Sequence, residues 1–142
     1  MSTATSPRVT TLTAGTYVRD YDAIVETMNR YTEGVRTGNS TAMKASFHER
    51  CTFYGYLDGQ LLAGPAQLLF DWVDGNGPSP DFDVRFASVD ILDTIASVRL
   101  EMDNVTGKLA GEPGMRLSDL FQLIKVDDRW LISQKAFHRH VA

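Results

Sequence analysis

The residues of this chain that could move a proton lie far apart in sequence. Asp119 interrupts an apolar run, "LSDLFQL"; His48 sits in "SFHERC"; Tyr54 follows in "TFYGY"; His138 and His140 close "KAFHRH". Strand alternation puts Leu117, Asp119, Phe121 and Leu123 on one face, so the carboxylate shares its side with three apolar residues. An unpaired buried carboxylate is costly. Asp119 is therefore either held by a structural hydrogen bond or is a cavity acid whose pKa climbs into a range useful for proton transfer. His48 can act as a pocket base or proton shuttle, or its ring can bond to a backbone group where a helix gives way to a strand. Tyr54 and Tyr56 share a face opposite Phe53, and either set can line a cavity. A tyrosine hydroxyl there would donate to a carbonyl oxygen as its charge develops.

His138 and His140 share a strand face, with Lys135 and Arg139 on the other. A His-x-His pair has metal-ligand spacing, but no third ligand is apparent, and neither a metal nor a cofactor is expected. His138, nearer the sheet centre, is the better pocket candidate. Cys51 reads as a small buried hydrophobe. Gly-rich phosphate loops, nucleophile elbows and His-Glu-x-x-His motifs are absent. What this residue set can support is acid–base chemistry.

These side chains need a scaffold, and 142 residues suffice for one domain with a real core. An apolar fraction of 43% and a net charge of −4, with basic residues scattered, suit a globular protein that binds neither nucleic acid nor membrane. The first sixteen residues hold eight Ser or Thr and no apolar run. They read as a flexible arm over 1–16, without a signal peptide, before a single domain over 17–142. One cysteine is compatible with a cytoplasmic location.

Apolar residues at Tyr21, Ile24, Val25, Met28, Tyr31 and Val35 mark one helix face, with Asp20 as a cap. Gly38 should stop that helix, and Asn39 or Ser40 should cap a short second one. Cys51–Leu57 and Gln60–Ala63 form a hairpin around "LDGQ". "GPAQLLFDWV" is a third helix with Pro65 in its first turn and Leu68, Leu69, Trp72 and Val73 on its apolar face. Long strands follow over 82–93, 95–105, 115–126 and 130–141, with "TGKLAGEPG" as a flexible connection. The expected class is α+β: three helices against a curved antiparallel sheet, which must coil around them and leave a cone-shaped pocket.

The stretches "GNSTAMKASFHERCTFYGY", "GPAQLLFDWV", "ASVDILDTIASVRLEM" and "LSDLFQLIKVDDRWLISQKAF" resemble the nuclear-transport-factor-2-like superfamily, of cystatin-like cone fold. Within it, the chain is most similar to the lumazine-binding-like and polyketide-cyclase-like bacterial proteins. The subgroup's Phe-His-Pro motif survives as Phe47 and His48, with Glu49 replacing the proline. The resemblance implies a homodimer through the outer sheet face and a pocket at the wide end of the cone. Acid–base chemistry of isomerase, dehydratase or cyclase type on a small apolar carbonyl-bearing or cyclic substrate is the expectation. Its rival is a non-catalytic ligand-binding or dimerisation module. The catalytic candidates are Asp119, His48, Tyr54 and His138, and the ligand-binding candidates are Tyr31, Phe53, Trp72, Met102 and Phe121.

Overall fold

Ile24, Thr27, Met28, Tyr31 and Val35 recur at helical spacing, and all are buried along one side of α1 (Tyr17–Thr37). Gly38 ends this helix at φ +69°, a left-handed conformation that glycine enters without a Cβ penalty. Asn39 caps α2 (Ser40–Lys44) by accepting from Thr41 N at 2.9 Å. The computed structural model describes residues 16–141. The arm expected over 1–16 lies, apart from Thr16, outside the described residues. Asp20 is not the cap of α1, because the helix begins three residues earlier. Buried in the first turn, it accepts from Lys125 Nζ (2.9 Å) and Trp130 Nε1 (3.1 Å) and so ties the helix to the sheet.

The remaining elements are β1 (Phe47–Leu57), β2 (Gln60–Pro65), α3 (Gln67–Asn76), β3 (Asp83–Leu92), β4 (Ile95–Val105), β5 (Met115–Val126) and β6 (Arg129–His140). They give an α+β fold with one six-stranded sheet in the order β2-β1-β6-β5-β4-β3. The pairing is antiparallel throughout except between β1 and β6, which run parallel. The sheet is therefore mixed rather than wholly antiparallel. Pro65 closes β2 instead of opening α3, which starts after Ala66.

The sheet curves and stays unclosed, with register shifts in four strand pairs. Each inserted residue adds local twist and bend. One shift decides the chemistry. Between β5 and β6, Leu123 pairs with Ile132 but Gln122 pairs with Gln134, leaving Ser133 as the extra residue. Trp130 and Ile132 face inward before it, and Lys135 faces inward after it. The inward parity of β6 changes from even to odd residues.

The connection over 106–114 is anchored at one end of the cone. Buried Asn76 accepts from Leu109 N (2.9 Å) and Ala110 N (2.8 Å) and donates to Thr106 O (2.9 Å). The loop expected to be flexible is thus pinned to the last turn of α3. No helix among the described residues is long and apolar enough to cross a membrane.

Candidate functional site

The concave face of the sheet, α1 and α3 line a cavity of about 120 Å³ that opens to solvent at one end. Leu68, Leu69, Trp72 and Val73 of α3 wall one side; Phe53, Met102, Leu117 and Phe137 of the sheet wall the other. Tyr31 comes from α1 and Lys135 from β6. Among the described residues, Lys135 is the one charged side chain on this wall.

Lys135 is packed in aromatic rings. Its Nζ lies 4.9 Å from the centre of Phe137, 5.0 Å from Phe53, 5.4 Å from Tyr31 and 5.9 Å from Phe121. Phe53 and Phe137 stack on each other at 4.9 Å. Gly55 makes that stack fit, since a Cβ there would come within 2.2 Å of the Phe137 ring.

Asp119 stands behind the lysine and is not on the cavity wall. Its Oδ2 is 3.8 Å from Lys135 Nζ and accepts from the Tyr31 hydroxyl at 3.3 Å. Its Oδ1 is buried without a hydrogen-bond partner. Burial raises the Asp119 pKa, opposed by Lys135 and by the Tyr31 hydrogen bond. Burial likewise lowers the Lys135 pKa, opposed by Asp119. The Tyr31 hydroxyl is pushed well above its usual value, by burial first and then by the neighbouring carboxylate. Burial thus draws the proton affinities of the two members of the ion pair toward each other.

Of the sequence candidates, Tyr31, Phe53, Trp72 and Met102 stand on the cavity wall. Phe121 lies beneath, edge-on to Tyr31 at 5.0 Å. The structure does not bring His48, Tyr54 and His138 to the cavity. His48 accepts from Arg50 N at 3.0 Å through Nδ1, as a link at the junction into β1. Tyr54 points outward, 43% exposed, because its neighbour Phe53 points inward and adjacent strand residues cannot share a face. His138 is on the outer face with His140, ring centres 4.9 Å apart, because the Ser133 bulge turned the other parity inward. His140 contacts Ser118 Oγ at 2.7 Å. Among the described residues, no three His, Cys, Asp or Glu side chains form a group that could hold a metal. Sequence reasoning placed Lys135 opposite the histidines, yet did not select it. The signal was there: a lysine inside "ISQKAF", whose alternation breaks at Ser133.

Residues 19–138 match the family described as "Putative lumazine-binding". The chain belongs to this family. Among solved structures, this lumazine-binding-like chain is similar to an NTF2-like protein of unknown function from Shewanella baltica OS155. That likeness has 37% identity and a TM-score of 0.79 and covers 89% of this chain and 98% of the other. A second NTF2-like protein of unknown function, from Methylobacillus flagellatus KT, is 35% identical with a TM-score of 0.79, covering 87% and 94%. Among curated proteins, the Aldolase FrzH of Cladobotryum sp. is 28% identical over 121 residues, 85% of this chain and 92% of its own. The fold and cavity of this lumazine-binding-like protein support a role in binding or transforming a small molecule.

Proposed function

We propose that the cavity binds a small, mostly apolar carbonyl compound and moves a proton at the carbon next to its carbonyl group. The observation that carries this reading is the pair Tyr31 and Lys135 on the wall of an otherwise apolar cavity, with Asp119 behind them. An apolar substrate entering the cone would turn its oxygen toward the two polar groups available, the Tyr31 hydroxyl and the Lys135 amine. The Tyr31 hydroxyl, turned from Asp119 Oδ2 to the substrate, donates where enolate charge develops, in surroundings that strengthen such a hydrogen bond. Lys135, having given a proton to Asp119, is the amine that takes the proton from the α-carbon, while Asp119 behind it stores the first proton and returns it. Isomerisation, dehydration and cyclisation can all begin with this enolisation. So does an aldol reaction, the activity for which the Cladobotryum relative is named.

The test is hydrogen–deuterium exchange at the α-carbon of acetophenone and cyclohexanone, followed by NMR in D2O. The native protein should exceed the buffer rate. Tyr31→Phe, which loses one hydroxyl donor, should lower the exchange by about a hundredfold. Exchange no faster than in buffer for a ketone that binds would overturn the reading.

A second reading, a dimerisation module, draws on the outer sheet face. Tyr54, Ala136 and Leu120 sit side by side in register across β1, β6 and β5, and Tyr54 and Leu120 are exposed. A second copy of this chain packed on that row would cover them, in keeping with the expected homodimer. Light scattering on the native protein and on Leu120→Glu tests this, a change from dimer to monomer being the expected result.

A further inference from the structure

We propose that Lys135 Nζ joins covalently to a carbonyl-bearing occupant of the cavity, forming a protonated imine opposite Asp119. The proposal rests on the carbonyl-pocket reading above and deepens it, by making the lysine a nucleophile rather than a base alone. A lysine is an expensive choice for this position. Its side chain is 4% exposed, and the same volume could be filled by methionine with no charge to bury. Desolvation in an apolar pocket is one of the ways a lysine amine becomes nucleophilic.

The surroundings suit that chemistry. At 3.8 Å, the Asp119 carboxylate is close enough to compensate a cation, yet outside direct hydrogen-bonding distance, so the ammonium is not locked in place. Four aromatic rings flank Nζ. They exclude water and present their negative faces to whatever cation stands there.

The step balances without an added reagent. The Lys135 ammonium, free to swing the short distance into hydrogen-bonding contact, gives one proton to Asp119 and becomes an amine. The nitrogen lone pair attacks the carbonyl carbon, an N–C bond forms, and one nitrogen proton passes to the former carbonyl oxygen. Asp119 then returns its proton to that oxygen, the C–O bond breaks, and water leaves. A C=N double bond carrying one positive charge remains. Ammonium and ketone have become iminium and water, and the carboxylate again faces a single cation. That cation withdraws electrons from the neighbouring C–H bond, which is the proton transfer already inferred for the site.

The experiment uses the native full chain and benzoylacetone, whose condensation with an amine gives a vinylogous amide absorbing in the near ultraviolet. In parallel, acetophenone is added with sodium borohydride, which reduces an imine to a stable amine. Peptide mapping by mass spectrometry then locates the adduct. An ordinary lysine, with a pKa of about 10.4, has roughly one amine in 2,500 unprotonated at pH 7. Lys44, Lys108 and Lys125 provide the internal comparison, so no substitution is needed and folding of a variant is not at issue. The expected result is a one-to-one adduct on Lys135 at least about tenfold above each of those three. Uniform labelling of all lysines, or no adduct on Lys135, would overturn the proposal. If α-carbon exchange persists while no adduct forms, the non-covalent reading survives and the imine alone is lost. If both are absent, both fall.

Discussion

Lys135 Nζ faces Asp119 Oδ2 across 3.8 Å, with the two side chains 4% and 0% exposed, and the second carboxylate oxygen has no partner. This is an ion pair with incomplete hydrogen bonding, held where solvation is poorest. Such pairs repay little of their desolvation cost, whereas removing one member strands the other. Lys135→Met and Asp119→Asn should each destabilise the fold, Lys135→Met by about 3–5 kcal/mol. The double variant Lys135→Met/Asp119→Leu should be neutral or more stable than the native chain by about 1–4 kcal/mol. Urea unfolding of all four proteins checks this. A double variant less stable than the native chain would show that the pair stabilises the fold.

The same pair sets a pH dependence. Asp119 has its pKa raised above 3.8 by burial, so the folded state holds the proton more tightly than the unfolded chain. Its contribution to stability is complete below the usual carboxylate range and is lost as pH rises through the folded value. Lys135, lowered from 10.5 by burial, works oppositely: its contribution is complete above 10.5 and is lost as pH falls through the folded value. In Lys135→Met, Asp119 loses its cation and its pKa rises further. Unfolding free energy of that variant should fall by up to about 1.4 kcal/mol per pH unit above the ordinary carboxylate range. Denaturation from pH 4 to 8 measures the slope relative to the native chain, and a parallel course for the two would contradict it.

How far the sequence revealed this arrangement depended on what could interrupt its periodicities. Ile24, Met28, Tyr31 and Val35 follow an unbroken helical repeat, and Leu117, Asp119, Phe121 and Leu123 an unbroken strand alternation, so both faces were legible. Asp119 was found as a buried acid, but not that it lies behind the wall. The residues in front of it come from β6, where alternation counted from Trp130 and Ile132 puts Ala136 and His138 inside. One extra residue, Ser133, reverses that count. A bulge is a feature of two paired strands, and within one strand its trace is only a break in alternation such as that at Ser133. Lys135 was missed for this reason. Tyr54 and Phe53 were both nominated, although adjacent strand residues cannot both face one cavity.

Cys51 has its thiol pKa raised to about 11 from 9.0, mainly by burial and against the pull of nearby Lys135. Thiolate is the reactive form. At pH 8 the native protein should react with a disulfide reagent about a hundredfold more slowly than the urea-unfolded chain. Equal rates would show that the thiol is accessible and unperturbed.

Asn76 holds the 106–114 connection through two accepted amide bonds and one donated bond, from a buried side chain. Asn76→Ala strands the amides of Leu109 and Ala110 and the carbonyl of Thr106, and should cost about 3 kcal/mol. Beyond the stability measurement, hydrogen exchange should accelerate at Leu109 and Ala110 while the amides of β5 and β6 follow only the global change. Unchanged protection at those two amides would mean that the connection is held by other contacts.

Gly55 links local geometry to the site. A methyl group there would run into the Phe137 carbonyl oxygen and into the Phe137 ring, whose centre is 4.9 Å from Lys135 Nζ and which stacks on Phe53. In Gly55→Ala both the ring and the β6 backbone at Phe137 must shift, at a cost of about 1–3 kcal/mol for overpacking. Displacement of the ring opens one side of the aromatic enclosure and lets water approach Nζ. Desolvation is the leading cause of the lowered Lys135 pKa, so the value should return toward 10.5. NMR titration of the Lys135 side chain reads this shift directly. Gly59→Ala is the control: at φ +80° it also strains the backbone, but it has open space around it. That variant should lose stability and leave the Lys135 titration unchanged. A titration that moves equally in both variants would trace the effect to lost stability rather than to the ring.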